Sequence, residues 1–337
     1  MPRTTYKKII TSDELTSQIN PKNLKLMERF LREKDTRSSD GTIKGYESDL
    51  TIFFTWVLQN CDNKFFVDIK KIEFAEFFSY TVKDLQWNSA RFARMRSCLS
   101  SLSNFIERFF DDEYPAFRNV ILKAVESMPK TASREKTILS EEQVNSLLKH
   151  LVDNKMNQEA CWLALAISSG SRFSELLRFT TDIIDIDNTA FDGLFIETLK
   201  KIKSKGRTKT GKLLTKYIIK DMFVPYYESW LKERQEIMDK NNKDHTSVFI
   251  KQDGSPAEAH NVRIWVCHFE KILGVPFYPH SLRHFQTTLL SKMGIPDQLI
   301  KVLVGWSSTL MVEVYNDTEA KDKKWEELEN LKTHLGK

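Results

Sequence analysis

The chain has 337 residues, of which 41% are apolar, and its 51 Lys and Arg against 46 Asp and Glu give a net charge of +5. This composition is typical of a globular protein, and the length predicts two domains, each with its own core. No segment approaches the roughly 18 apolar residues of a membrane helix, and the N-terminus lacks an apolar signal core, so we expect a cytoplasmic protein. The cysteines lie far apart, which argues against both a disulfide framework and a structural zinc site.

The first part of the chain is predicted to be helical. Residues 1–39 are polar and form an N-terminal extension with one amphipathic stretch at 24–34. Residues 40–127 carry apolar side chains at the i, i+3, i+4, i+7 spacing of helices with one buried face. These stretches cover 42–57, 69–85, 89–110 and 117–125. Several short helices over this length predict an all-helical bundle.

A second domain follows a linker. Residues 128–137 have no apolar period and contain a proline, as is typical of an interdomain linker. Ser140 and Gln143 form a capping box, which predicts a helix start and a domain over 138–320. Further helices are predicted at 158–167 and 173–179, strands at 183–186, 194–197 and 213–219, and a C-terminal tail at 321–337. The fold class is therefore mainly α with a small antiparallel β-sheet.

The clearest electropositive patch lies between Lys200 and Lys220, which includes nine basic residues and no acid. A basic turn at Gly206–Gly211, between two strands, can reach into a groove and present a lysine to a phosphate. The two glycines and Lys212 also have the spacing of a nucleotide-binding loop. The next residue is Leu213, however, where that loop needs a hydroxyl for Mg²⁺ and a helix start, so we do not predict an ATPase.

Two clusters supply the chemistry of metal-free phosphodiester transfer. That reaction needs cationic donors on the phosphate oxygens, a nucleophile, and groups that move protons. Guanidiniums grip phosphate oxygens, imidazole exchanges protons near neutral pH, and nearby guanidiniums favour a tyrosine phenolate. The first cluster holds Arg172 and Glu175, and the second holds His280, Arg283, His284, Trp306 and Tyr315. The two histidines lack an intervening glutamate and a third ligand, so no metal site and no cofactor is predicted.

In residue type, order and spacing, these clusters resemble the tyrosine recombinase (phage integrase) family. The resemblance covers residues 138–320, and the preceding bundle looks like the core-binding domain of that family. It implies a C-shaped clamp on duplex DNA, in which Tyr315 attacks a scissile phosphate to leave a 3′-phosphotyrosyl link and a free 5′-hydroxyl. Because this link conserves the energy of the broken bond, strands can be rejoined without metal or ATP.

The resemblance also implies a role for each matching residue. Arg172 and Arg283 would bind the phosphate, and His280 would act as acid and base. Trp306 stands where many members have histidine and would donate a hydrogen bond. Glu175 would orient the site, His284 would be structural, and Lys209 would be the general acid, with Lys203 and Lys205 as alternatives. The residues expected to contact DNA are Arg91, Arg94, Arg96, Lys130, Arg134, Lys205, Arg207 and Lys212.

The expected partners are double-stranded recombination sites at the nucleoid, three further protomers in a tetrameric synapse, and accessory DNA-bending or directionality proteins. The tail carries Trp325, Leu328 and Leu331 at helical spacing and could dock on a neighbouring protomer or fold back in cis. One alternative is a type IB topoisomerase, which cuts and reseals one strand as a monomer. Another is a catalytically silent sequence-specific DNA-binding protein. A metal-dependent nuclease is disfavoured because no dispersed carboxylate set stands out.

Overall fold

A computed structural model describes residues 10–129, 139–204 and 211–306. The internal contacts group the described residues 10–129 into one compact unit and the described residues 139–204 and 212–306 into another. Within the described ranges, no helix is both long and apolar enough to cross a membrane. The same ranges contain no group of three or more His, Cys, Asp or Glu side chains that could hold a metal ion.

The first unit is helical. Its elements are α1 (Asp13–Ser17), α2 (Pro21–Asp35), α3 (Asp40–Asn60), a 3₁₀ turn (Phe66–Asp68), α4 (Lys71–Lys83), α5 (Ser89–Phe109) and α6 (Ile121–Ala124). The helix predicted at 117–125 forms only its last turn, because the Asn119 side chain binds Ser100 and Asn104 and accepts from the Ile121 N–H. These bonds hold residue 119 outside a helix.

The core of this unit is aromatic. Phe53 stacks on Phe74 at 5.7 Å and meets Phe77 edge to face at 4.9 Å. Leu26 and Phe30 of α2 are buried in the same core, with exposures of 5% and 0%. Helix α2 is therefore an integral part of the bundle, and the N-terminal extension predicted at 1–39 is wrong for this helix.

The second unit combines helices with two small sheets. Its helices are α7 (Glu141–Asp153), α8 (Asn157–Ser169), α9 (Phe173–Leu176), α10 (Lys220–Lys240), α11 (Ala259–Leu273), α12 (Pro279–Lys292) and α13 (Asp297–Val304). The capping box is confirmed, since Ser140 and Gln143 exchange side-chain to backbone hydrogen bonds at the start of α7. Helix α8 is central and packs against α7, α10 and α12. Because neighbours surround it, its residues from 160 to 169 are all buried.

The strands are β1 (Thr189–Ala190), β2 (Phe195–Glu197), β3 (Ile202–Ser204), β4 (Lys212–Leu214) and β5 (Tyr217–Ile219). Strand β2 lies between β1 and β5 in one antiparallel sheet, and β3 pairs with β4 in another. A mainly helical fold with small antiparallel sheets is thus confirmed, but the strand predicted at 183–186 is wrong. Ile183 ends a turn and Ile184 follows it, and both are buried, so their apolar character reflects burial without strand pairing.

The strand predicted at 213–219 is two strands in different sheets. The break falls at Thr215 and Lys216, where the Lys216 N–H donates to Thr198 Oγ1 and the Thr198 N–H donates to the Lys216 carbonyl, both at 3.0 Å. These bonds anchor the chain between the two sheets. The lysine side chain turns inward there and is fully buried.

Candidate active site

The turn between α8 and α9 presents the first arginine of the site. Helix α8 ends at Gly170, whose φ of +54° is in the left-handed region that glycine adopts without strain. Arg172 is the N-cap of α9 and Glu175 is its third residue. The Glu175 carboxylate accepts from the Arg172 backbone N–H at 3.2 Å and from Arg172 Nη1 at 2.8 Å. The three-residue spacing across a helix start therefore holds the arginine locally.

Helix α12 brings a second arginine to the same turn. Arg283 is 1% exposed, and its Nη1 donates to the Gly170 carbonyl at 2.7 Å. A Cβ on residue 170 would collide with the Gln286 side chain of α12. A glycine at this position therefore permits both the backbone turn and the close approach of α12.

The histidine of the second cluster is in the first turn of α12. His280 keeps part of its side chain exposed, while His284 is buried, and the two rings meet edge to face with centroids 5.0 Å apart. Partial burial lowers the pKa of His280 below its usual value, and the charges of Arg283 and Arg172 lower it further. The neutral imidazole, which can accept a proton, is therefore the favoured form at neutral pH.

One cavity of about 270 Å³ is lined by Arg172, His280 and Arg283. Trp306 is 6% exposed, and the centroid of its ring lies 5.2 Å from the Arg283 guanidinium carbon. Arg283 thus joins the predicted residues, since it lines the cavity together with Arg172 and His280 and also contacts Trp306. The predicted nucleophile, Tyr315, lies outside the described residues.

Two residues that the sequence analysis did not single out complete the surroundings of Glu175. Ser204, at the end of β3, donates to Glu175 Oε1 at 2.6 Å and accepts from Arg172 Nη1 at 2.9 Å. Lys216 Nζ donates to Glu175 Oε2 at 2.6 Å. The sequence around Lys216 does not show that this lysine is buried, because it stands in a run of basic residues whose other members look the same. Nor do the neighbours of Ser204 in the sequence mark it as a partner of Glu175. The inward direction of the lysine side chain is set by the tertiary structure, in which β3 packs on α9 and the backbone bonds to Thr198 hold Lys216 between the two sheets.

The carboxylate of Glu175 is stabilised by charge despite being fully buried. Burial by itself raises the pKa of Glu175, but the Lys216 ammonium, together with hydrogen bonds from Lys216, Ser204 and Arg172, holds that pKa at about 2. Burial lowers the pKa of Lys216, as do the charges of Arg283 and Arg172, while Glu175 opposes that fall. At neutral pH the glutamate is therefore ionised and bonded to the N-terminal turn of α9.

The arginines of α5 predicted to contact DNA have two kinds of surroundings. Arg94 Nε and Nη2 donate to Asp49 at 2.8 and 2.6 Å, and Arg91 Nη1 lies 2.8 Å from the same carboxylate. Asp49 is fully buried, whereas the Arg91 and Arg94 side chains are 27% and 48% exposed. Arg96 donates instead to two backbone carbonyls in and after α6. Arg91 and Arg94 thus reach the surface from a fixed anchor, and Arg96 holds α6.

The hairpin of β3 and β4 is described only at its strands. Lys203 and Lys212 are both exposed there. The other predicted site residues lie outside the described residues, namely Lys130, Arg134, Lys205, Arg207 and Lys209. The tail at 321–337 lies outside them as well.

Comparison with known proteins places this geometry in a family context. The model of the phage integrase family matches residues 137–322. The SPbeta prophage-derived recombinase-like protein YomM of Bacillus subtilis is 27% identical over 81% of this chain and 79% of its own length. A tyrosine recombinase of Thermosipho africanus is 23% identical over 83% of this chain and 89% of its own.

Solved structures share the fold. The XerH site-specific recombinase bound to palindromic difH substrate in a post-cleavage complex gives a TM-score of 0.69 at 17% identity, covering 91% of this chain and 97% of that one. A lambda integrase dimer bound to a COC′ core site gives a TM-score of 0.62 at 17% identity, covering 87% of this chain and 95% of the lambda chain.

Proposed function

The chain belongs to the phage integrase family and is a tyrosine recombinase, and on that premise we propose how its residues cut and rejoin DNA. Tyr315 attacks a scissile phosphodiester, so that a bond forms between its phenolic oxygen and phosphorus while the bond to the 5′-oxygen breaks. The products are a 3′-phosphotyrosyl link and a free 5′-hydroxyl. In the reverse step a 5′-hydroxyl attacks the link and releases the tyrosine, without metal or ATP.

The convergence of Arg172, His280 and Arg283 on one cavity is the observation that carries this proposal. Two guanidiniums can each donate to the non-bridging oxygens of a phosphate and stabilise the charge that develops on them in the transition state. Arg283 is fixed by its bond to the Gly170 carbonyl and Arg172 by its bonds to Glu175, so little reorganisation is needed when the phosphate binds.

Two groups transfer protons, one from the attacking oxygen and the other to the leaving oxygen. The neutral His280 accepts the proton of the Tyr315 hydroxyl, consistent with the lowered pKa of the imidazole. Lys209 donates a proton to the departing 5′-oxygen, with Lys203 and Lys205 as the alternatives. Trp306 cannot ionise, so it contributes a hydrogen-bond donor and packs over the Arg283 guanidinium.

The binding partners follow from the same proposal. The first unit and the basic hairpin bind duplex recombination sites through Arg91, Arg94 and the exposed Lys212. The protein is a monomer when free and a tetramer on paired sites, with residues 321–337 docked on a neighbouring protomer. It acts in the cytoplasm at the nucleoid, with accessory DNA-bending or directionality proteins.

The test is to trap covalent adducts on DNA that flanks the gene. Wild-type protein is incubated with nicked fragments of that DNA in EDTA. The mixture is then denatured, and the positions of the cuts are mapped. We expect adducts at one short site, attached through Tyr315, and recombination between two copies of that site. Site-independent relaxation of supercoiled plasmid without recombination would assign the protein to the topoisomerases instead. Site-specific binding without any adduct would mark it as a catalytically silent DNA-binding protein.

A further inference from the structure

A buried lysine lies behind the candidate active site without lining its cavity. Lys216 is 0% exposed, and its Nζ is 2.6 Å from Glu175 Oε2. Its Nζ also lies 3.8 Å from the position of a Cβ on Gly305, the residue before Trp306. Taking a lysine ammonium out of water costs several kcal/mol. A charge held at that cost, at the back of a phosphate-binding cavity, calls for a functional explanation.

The charge count of the cluster shows what the lysine changes. Glu175 binds Arg172 through Oε1 and Lys216 through Oε2, and Ser204 donates to Oε1 as well. One carboxylate shared by two cations leaves the cluster with a net charge of +1. Without the lysine the arginine and the glutamate would form a neutral pair, and an incoming phosphate would compete with the carboxylate for the guanidinium.

We propose that Lys216 is a positioning residue that neutralises Glu175 and thereby leaves the charge of Arg172 available to the scissile phosphate. The glutamate can then orient the guanidinium by hydrogen bonding without cancelling its attraction for the substrate. Lys216 touches neither substrate nor nucleophile in this scheme and acts through Glu175 and Arg172. The inference rests on the proposed function, since it assumes that Arg172 binds a phosphate.

The first test is a charge-rescue experiment on the DNA site mapped with wild-type protein. Lys216→Met keeps an unbranched side chain of similar length and removes the charge. We expect adduct formation to slow by about 10- to 100-fold, which is a smaller effect than the loss of one oxyanion donor causes. Adding Glu175→Gln to that variant removes the carboxylate that cancels the charge of Arg172. The double variant should therefore form adducts at least about tenfold faster than Lys216→Met. A double variant no faster than Lys216→Met would overturn the proposal.

The second test asks whether the defect follows the charge of the phosphate. A methylphosphonate at the scissile position has lost the charge of one non-bridging oxygen, so its cleavage depends less on a cation. The rate loss caused by Lys216→Met, relative to wild type on the same substrate, should therefore shrink at least about fivefold on this linkage, as should the loss caused by Arg172→Ala. A loss of equal size on both linkages would show that Lys216 only supports the fold.

Controls separate folding, charge and function. Lys240→Met removes an exposed lysine at the end of α10 and should leave both rates unchanged. If Lys216→Met does not fold, the double variant is tested alone, and it should cleave the natural linkage within about tenfold of wild type. A folded double variant slower by more than about 100-fold would overturn the proposal. Wild-type protein that forms no Tyr315 adduct would contradict the proposed function itself. Wild-type protein that forms the adduct, with Lys216 variants that do not behave as expected, would contradict only the role of Lys216.

Discussion

The buried carboxylate of Glu175 should make the stability of the second unit depend on pH in a defined direction. Its pKa falls from the usual 4.5 to about 2 in the folded protein. A lowered pKa of an acid contributes stability that is fully present above the unfolded pKa and is lost as the pH falls from about 4.5 toward 2. Wild-type protein should therefore lose this contribution within that window.

The magnitude follows from the size of the shift. Each pKa unit corresponds to about 1.4 kcal/mol, so the fall to about 2 corresponds to about 3 kcal/mol of unfolding free energy at neutral pH. Removing one partner of a buried ion pair costs about 3–5 kcal/mol, which agrees with this value. Glu175→Gln should therefore destabilise the second unit by about 3 kcal/mol at pH 7 and by about half as much near pH 3, because the carboxylate of the unfolded chain is then protonated while that of the folded protein is still mostly ionised.

The assay is urea unfolding at several pH values, followed by hydrogen exchange of peptides from α8, which reports on the second unit by itself. Glu236→Gln removes an exposed carboxylate from α10 and serves as the matched control, with no expected change in either stability or its pH dependence. An equal loss of stability for Glu175→Gln at pH 7 and pH 3 would refute the electrostatic reasoning. No loss at pH 7 would refute it as well.

Further variants test the site and its DNA contacts. Tyr315→Phe should bind the site normally and form no denaturation-resistant adduct, since only the nucleophilic oxygen is lost; an adduct from this variant would contradict the assignment. Lys209→Ala should slow cleavage of a normal phosphodiester by about 10² to 10⁴, and a 5′-bridging sulfur, which leaves without protonation, should restore the rate; rescue of Lys203→Ala instead would move the general acid to β3. Arg94→Gln should weaken DNA binding and reduce the slope of its salt dependence by about 1, because one cationic contact is lost while Arg91 still pairs with the buried Asp49; unchanged affinity and slope in a salt titration would count against that contact. Deleting residues 321–337 should spare binding to one site and abolish recombination of paired sites; recombination at the wild-type rate would exclude docking in trans.

Local rules determined much of what the sequence revealed. The capping box at Ser140 and the pairing of Arg172 with Glu175 depend on residues three apart, and such pairs meet wherever a helix starts. The one-turn spacing of His280 and Arg283 placed both on α12 in the same way. Residue type then indicated the chemistry proposed for the site, because guanidinium, imidazole and phenol groups are able to bind phosphate, transfer protons and act as a nucleophile whatever the fold.

Only the tertiary structure decided which distant residues support these groups. Lys216 and Ser204 reach Glu175 across 41 and 29 residues of sequence, from chain segments on either side of a hairpin. The burial of α2 in the first unit and the turn at Ile183 were likewise decided by neighbours far along the chain. Periodicity and capping act within about one helical turn, whereas the burial of a charge depends on which elements meet around it. A run of lysines therefore cannot reveal which of its members turns inward.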